Sequence, residues 1–179
     1  EVLEQLNQEM VDRQADKVRF ATACYGVIDC AKRQVCVARA GHPFPLVLRA
    51  TGETETLEPE GGLLGVFPNQ QFEQVHTQLD RGDRLLLYSD GFEWAFPAPC
   101  NSPVRTGDKG QRRASMRYTE EFDNLRHGPL DEALARLEQK LDTQAGSLNQ
   151  RDDLTVLCMA VVAGNSPISL DQVAAPTTA

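Results

Sequence analysis

Two acidic steps, each beside an apolar run, are the residues of this chain best suited to do chemistry. The first is LLLYSDG, residues 85–91, in which Leu85, Leu86, Leu87 and Tyr88 lead into Ser89, Asp90 and Gly91. The second is RDDLTVLCMAVV, residues 151–162, in which Asp152 and Asp153 precede Leu154, Thr155, Val156 and Leu157. A carboxylate at the end of a buried strand is held rigidly while its oxygens face a cleft. Two such groups from distant parts of a chain can share a hard, oxygen-seeking cation such as Mg²⁺ or Mn²⁺. The chemistry this suggests is metal-assisted hydrolysis. Either step alone also reads as a turn, because Asp and Gly are common turn formers. Together, with Thr155 able to tie the local backbone, they favour the functional reading.

The elements that must hold these residues follow from periodicity. Residues 1–15 place Val2, Leu3, Leu6, Met10 and Val11 at helical spacing. A β-branched and aromatic run from Val18 to Ile28, a polar turn over 30–34 and a second run from Val35 to Ala40 predict a hairpin. AGHPFP, residues 40–45, interrupts the pattern, since Gly and two prolines cannot continue a central ladder. Short strands are expected over 45–49 and 54–57. An exposed or edge strand is expected over 72–79, a buried one over 84–88 and a last one over 154–162. A short helix is expected over 119–126. Pro129 followed by Leu130, Ala133, Leu134, Leu137 and Leu141 predicts a longer one. Strands joined mostly by short turns, with helices near the start and before the end, make an α+β fold with antiparallel sheet.

Composition bounds the function. At 179 residues the chain fits one domain, predicted over 1–163, with a disordered polar tail over 164–179. A net charge of −8 argues against nucleic acid as a partner. No apolar run approaches the roughly 20 residues of a membrane helix, so no membrane role is expected. The five cysteines lack CxxC spacing and suggest neither zinc nor a disulfide framework, which places the chain in a reducing cytoplasm. Residue 1 is Glu, and the chain opens directly on an amphipathic pattern, so a fragment is expected rather than a whole gene product.

The order AGHPFPLVL (40–48), GGLLGV (61–66), RGDRLLLYSDGFEWA (81–95) and RDDLTVL (151–157) resembles the bacterial serine phosphatases of the SpoIIE/RsbU type, within the metal-dependent, type 2C phosphatase superfamily. The resemblance spans roughly residues 1–162. It implies a four-layer αββα fold, an antiparallel sandwich flanked by helices. It also implies two ions, Mn²⁺ or Mg²⁺, that activate a water to attack a phosphoserine or phosphothreonine. Carried onto this sequence, it gives metal-ligand roles to Asp90 and Asp152, a supporting role to Asp153 and close backbone packing at Gly91. The GHP segment around His42 matches a tight structural turn of the family, and that reading is preferred to a general acid.

Two departures qualify the resemblance. The family's first metal motif, a Gly-Asp followed by Gly-His-Gly, lies upstream of the helix that residues 1–15 resemble, and it is not in this chain. Alone, Asp90 and Asp152 are expected to hold at most one ion weakly, so this chain by itself is expected to be a poor catalyst. Glu93 also falls one place early, with Trp94 in place of the usual acid. The implied function is an output domain of a signalling or response-regulator protein, with a sensor or receiver domain upstream. Its implied substrate is a phosphorylated anti-sigma-factor antagonist. The alternative is a phosphatase-fold adaptor that binds a sigma factor or its regulator without catalysis. Arg105, Lys109, Arg112, Arg113 and Arg117, in the Pro- and Gly-bearing loop after the first acidic step, are candidates for contact with an acidic or phosphorylated partner. A homodimer is left open.

Overall fold

A computed structural model describes residues 1–14, 19–96, 117–145 and 153–162. The elements in chain order are α1 (Val2–Asp12), β1 (Ala23–Asp29), β2 (Gln34–Ala40), β3 (Leu46–Leu48), β4 (Thr54–Thr56), β5 (Gln74–Gln78), β6 (Arg84–Tyr88), α2 (Gly91–Ala95), α3 (Arg117–Asp123), a 3₁₀ turn (Asn124–Arg126), α4 (Leu130–Ala145) and β7 (Val156–Ala160). The strands form two sheets, ordered β1-β2-β5 and β4-β3-β6-β7, with every strand pairing antiparallel. The antiparallel α+β fold expected from the sequence is present, and β5 lies at a sheet edge as its alternation predicts.

Period-two alternation sorts the strand side chains into layers. Val35 and Val37 of β2 meet Val47 of β3 and Leu85 of β6 between the sheets, with Leu57 and Leu79 closing that core. The opposite faces of β3 and β6 present Leu46, Leu48, Leu86 and Tyr88 to the helices, against Phe92, Phe96, Tyr118, Phe122, Leu125, Ala133 and Leu137. On the far side, Leu3 and Met10 of α1 cover Ala38 and Ala40 of β2 together with Leu64 and Phe72. Helix, sheet, sheet and helices thus form four layers.

Differences from the expected elements have local causes. Before β1 the predicted strand is reduced to an isolated bridge between Ala21 and Leu64. Helix α1 turns Asn7 inward and leaves Val2 and Leu6 about half exposed. The Asn7 amide satisfies both of its ends, accepting from the Gly65 N–H at 2.8 Å and donating to the Phe67 carbonyl at 2.9 Å. The GGLLGV segment is thereby held as a loop against α1.

The lower rim of the sandwich is fixed by charge. Asp83, 2% exposed, accepts N–H bonds from Ala50 and Asp80 and an ion pair from Arg49 at 2.7 Å. Arg49 also binds Glu55 and donates to the Thr77 hydroxyl and the Gln78 carbonyl, so one guanidinium ties β4 and the β6 turn to the other sheet. Arg84, buried on β6, donates to the carbonyls of Leu125 and Gly128 and anchors the helical layer. Cys24, Cys30, Cys36 and Cys158 are free thiols, and burial pushes Cys24 and Cys158 up in pKa, as expected of small hydrophobes. No helix among the described residues is long and apolar enough to cross a membrane.

Candidate functional site

Strands β6 and β7 pair with Tyr88 opposite Val156, so the end of β6 and the start of β7 lie side by side. The two acidic steps therefore meet at one edge of the sandwich. Their junction departs from a regular ladder in an informative way. The Ser89 N–H donates to the Thr155 carbonyl at 3.0 Å. In a regular antiparallel pair the Thr155 N–H would donate back to the Ser89 carbonyl. Here it donates to the Ser89 hydroxyl at 3.0 Å, and that hydroxyl donates to the Asp153 carbonyl at 3.0 Å. The Ser89 carbonyl accepts instead from the Phe92 N–H, at 3.3 Å, in the turn that opens α2. One side chain closes the ladder and releases a backbone group to start a helix.

Gly91 completes the seam. It is buried, and a Cβ there would lie 2.5 Å from the Asp153 carbonyl oxygen and 3.1 Å from the Leu154 Cδ2 atom. Only a residue without a side chain lets β7 approach this closely. Asp90 sits between Ser89 and Gly91, exposed, at the N-cap of α2. Its backbone is already helical and its carboxylate makes no capping bond to the helix, so the oxygens are not engaged with α2. Asp153 is exposed, with its backbone carbonyl held by Ser89. Asp152 lies outside the described residues.

His42 is the third titratable group at this edge. It comes from the AGHPFP loop between β2 and β3 and lies within electrostatic reach of Asp90. Burial pushes its imidazole below the usual His range, and the nearby Arg39 charge acts in the same direction. Asp90 and the Tyr88 backbone oppose the shift without cancelling it. The turn expected around His42 is present, with Gly41 at φ +63° and its N–H bonded to the Gly61 carbonyl at 3.3 Å.

The donor chemistry fits a hard divalent cation. Asp90 offers anionic oxygens on a rigid strand end, and the Ser89–Asp153 bond brings the backbone flanking Asp152 against it. Among the described residues, no three or more His, Cys, Asp or Glu side chains converge to hold an ion.

A family model described as Stage II sporulation protein E (SpoIIE) matches residues 1–162. The chain belongs to the SpoIIE family. Phosphoserine phosphatase RsbU of Bacillus subtilis is 32% identical over 92 residues, covering 51% of this chain and 27% of its own length. Among solved structures, the SiaA-PP2C domain of Pseudomonas aeruginosa superposes with a TM-score of 0.69 at 21% identity, over 89% of this chain and 59% of that one. The phosphatase domain of SpoIIE from Bacillus subtilis, presoaked with Mn, superposes with a TM-score of 0.57 at 16% identity, over 92% and 76%. At these identities the superpositions establish the fold, a type 2C phosphatase fold. This SpoIIE-family chain spans 22% and 27% of the length of two curated relatives it matches.

The remaining candidate residues of this SpoIIE-family domain divide simply. Arg105, Lys109, Arg112 and Arg113 lie outside the described residues, as does the tail over 164–179, and Arg117 opens α3. His76 and His127 are exposed surface residues. Sequence reasoning did not single out the Ser89 hydroxyl. The signal was available in Ser-Asp-Gly following an apolar strand, but its partners depend on the register of β7, 64 residues away.

Proposed function

We propose that this domain hydrolyses phosphoserine or phosphothreonine on a regulatory protein of the anti-sigma-factor-antagonist type, using Mn²⁺ or Mg²⁺. It would act in the cytoplasm as the output domain of a signalling or response-regulator protein, below a sensor or receiver domain. The observation that carries this reading is the Ser89 seam, which sets Asp90 against the backbone beside Asp152 in a SpoIIE-family fold. Support also comes from the relatives, since RsbU is named a phosphoserine phosphatase, a SpoIIE phosphatase-domain structure was presoaked with Mn, and RsbX was solved in complex with magnesium.

In this reading Asp90 and Asp152 hold the cation, and Asp153 supports them by hydrogen bonding. A divalent cation in such a site lowers the pKa of water and neutralises phosphate charge. The chain's own residues orient the donors. Ser89 fixes the spacing of the two strands, Gly91 permits their contact, and α2 begins where its backbone leaves the Asp90 carboxylate facing outward. Arg105, Lys109, Arg112, Arg113 and Arg117 would meet the acidic or phosphorylated partner through charge-assisted hydrogen bonds.

The test is phosphate release from a phosphoserine-bearing substrate protein by the natural full-length protein, with Mn²⁺ and with a chelator. Release that requires Mn²⁺ is expected. Tight binding of a sigma factor or its regulator, with no release in either condition, would favour the adaptor alternative and overturn the enzymatic reading. Glu substitutions in the basic set are expected to raise KM with little change in kcat, and an unchanged KM would remove them from the partner surface.

A further inference from the structure

Four strand ends share the edge of the sandwich that carries Asp90. Register sets Leu46 opposite Leu86, so the start of β3 lies beside the end of β6. Tyr88 stands opposite Val156, so the start of β7 flanks that same end on its other side. Strand β2 stops at Ala40, and only the loop over 41–45 separates it from β3. Arg39, the last residue but one of β2, therefore belongs to the edge from which Asp90 projects.

Arg39 is firmly held yet only partly engaged. Its Nε donates to the Pro59 carbonyl at 3.0 Å and its Nη1 to the His42 carbonyl at 2.7 Å, while the guanidinium lies 4.0 Å over the Phe44 ring. Its backbone is clasped as well, since a Cβ at Gly61 would clash with the Arg39 carbonyl oxygen. A guanidinium has more N–H donors than those two bonds use, and among the described residues Nη2 donates to nothing. No described side-chain nitrogen is both buried and unpaired, so Nη2 reaches solvent. Nor does any carboxylate of the described residues form an ion pair with Arg39. Arg49 and Arg126 do bind carboxylates, and Arg84 commits both terminal nitrogens to carbonyls. Burial holds the Arg39 pKa below the usual Arg range, and the pull of Cys24 and Glu58 does not offset it. The edge thus presents a half-buried cation that is fixed in place and has no counter-anion.

We propose that Arg39 is a phosphate-binding residue of this site, with Nη2 donating to the non-bridging oxygens of a phosphate monoester. Asp90 and Asp153 are exposed at the same edge and make it acidic, so an incoming phosphate dianion needs positive charge from the protein as well as from a metal ion. A planar guanidinium suits those oxygens better than an ammonium, and one already held by two carbonyls and a ring loses little freedom on binding. The proposal rests on the reading of the domain as a phosphatase and gives Arg39 the phosphoryl group itself. The basic set over 105–117 meets the partner protein around it.

The test uses the natural full-length protein with Mn²⁺, as parent, Arg39→Gln and Arg136→Gln, assayed on a phosphoserine-bearing protein with inorganic phosphate as competitive inhibitor. Arg39→Gln is expected to raise KM and the phosphate inhibition constant together, by about 10-fold or more. Its Mn²⁺ affinity by calorimetry is expected to stay at the parent value. Arg136→Gln removes the same charge from the surface of α4 and is expected to match the parent throughout. An Arg39→Gln protein with parental KM and phosphate inhibition would overturn the inference. So would one whose Mn²⁺ affinity falls in step with them, because Arg39 would then act through the metal site. A second measurement needs no variant: in the parent, inorganic phosphate is expected to protect Arg39 from the arginine-directed reagent phenylglyoxal, read by peptide mass spectrometry. Equal modification with and without phosphate would overturn the inference even if Arg39→Gln does not fold. Parent protein that releases no phosphate, with or without Mn²⁺, would instead overturn the phosphatase reading beneath it, since protection of Arg39 is scored separately from turnover.

Discussion

The hydroxyl of Ser89 takes the place of its own carbonyl as the acceptor for the Thr155 N–H, at 3.0 Å. That substitution lets β6 stay paired to β7 for one residue more while its backbone turns into α2. The residue immediately after the exchange is Asp90, and the other end of the same hydroxyl bridge is Asp153. A short helix, a strand pairing and the approach of two acidic segments are thus coupled through one oxygen.

Replacing Ser89 with Ala strips the Thr155 N–H and the Asp153 carbonyl of their partner. A loss of about 0.5–1.5 kcal/mol is expected in urea denaturation, the usual net worth of a hydrogen bond, since water can reach both groups. Ser89→Thr keeps the oxygen and should restore most of that loss. Equal stability of the Ala variant and the parent would contradict the bridge.

Gly91→Ala places a Cβ against the Asp153 carbonyl oxygen, a backbone atom that cannot rotate away. The strands must part, at a cost of about 1–3 kcal/mol, with Asp153 displaced from Asp90. Hydrogen exchange at the Thr155 amide is the readout, and faster exchange in the variant is expected. An unchanged rate would mean that the contact is looser than its geometry indicates.

Acid sensitivity should trace to Asp83. Burial alone would raise its pKa, but the N–H bonds from Ala50 and Asp80 and the Arg49 guanidinium outweigh it and hold the carboxyl below the usual Asp range. A depressed folded pKa contributes stability above the unfolded value of about 3.9, and that contribution is lost as pH falls through the folded value. At pH 7, Asp83→Asn is expected to cost about 2 kcal/mol, less than a fully stripped buried pair because Glu55 still neutralises Arg49. Below pH 3 the gap between variant and parent should shrink. A gap independent of pH would place the contribution of Asp83 elsewhere.

An aromatic cluster packs beneath the end of β6. Phe122 is fully buried, with ring centroids 4.9 Å from Tyr88 and 5.0 Å from Phe92. Phe122→Ala is expected to cost about 3–5 kcal/mol by thermal or urea unfolding. A cost under 1 kcal/mol would show that the helical layer does not support the end of β6.

Much of this arrangement was legible in the chain because it rests on periodicity. The apolar run 84–88 had to be a buried strand, and the Leu and Ala spacing after Pro129 had to be a helix. The alternation over 72–79 marked an edge. The two acidic steps were visible for the same reason, as polar residues abutting apolar runs. Other features depend on contacts between distant segments and leave no periodic trace. Helix α2 is five residues long and follows a Ser-Asp-Gly that reads as a turn. It exists because Phe92 and Phe96 pack under Tyr88 and Phe122. Asn7 is drawn inward by the loop carbonyl of Phe67 and the amide of Gly65, partners about 60 residues away that periodicity does not reveal. The pairing of Ser89 with Asp153 follows from strand register, which the local sequence does not encode.

The central claim is that Asp90 and Asp152 serve one ion together. The most direct measurement is calorimetric titration of the natural full-length protein with Mn²⁺, alongside Asp90→Asn, Asp152→Asn and the double variant. Ligands of one site are strongly non-additive, so each single change should weaken binding by about 10-fold or more and the double change should add little to either. Single variants that bind Mn²⁺ as the parent does, or a double variant whose loss is the full sum of two independent losses, would contradict it.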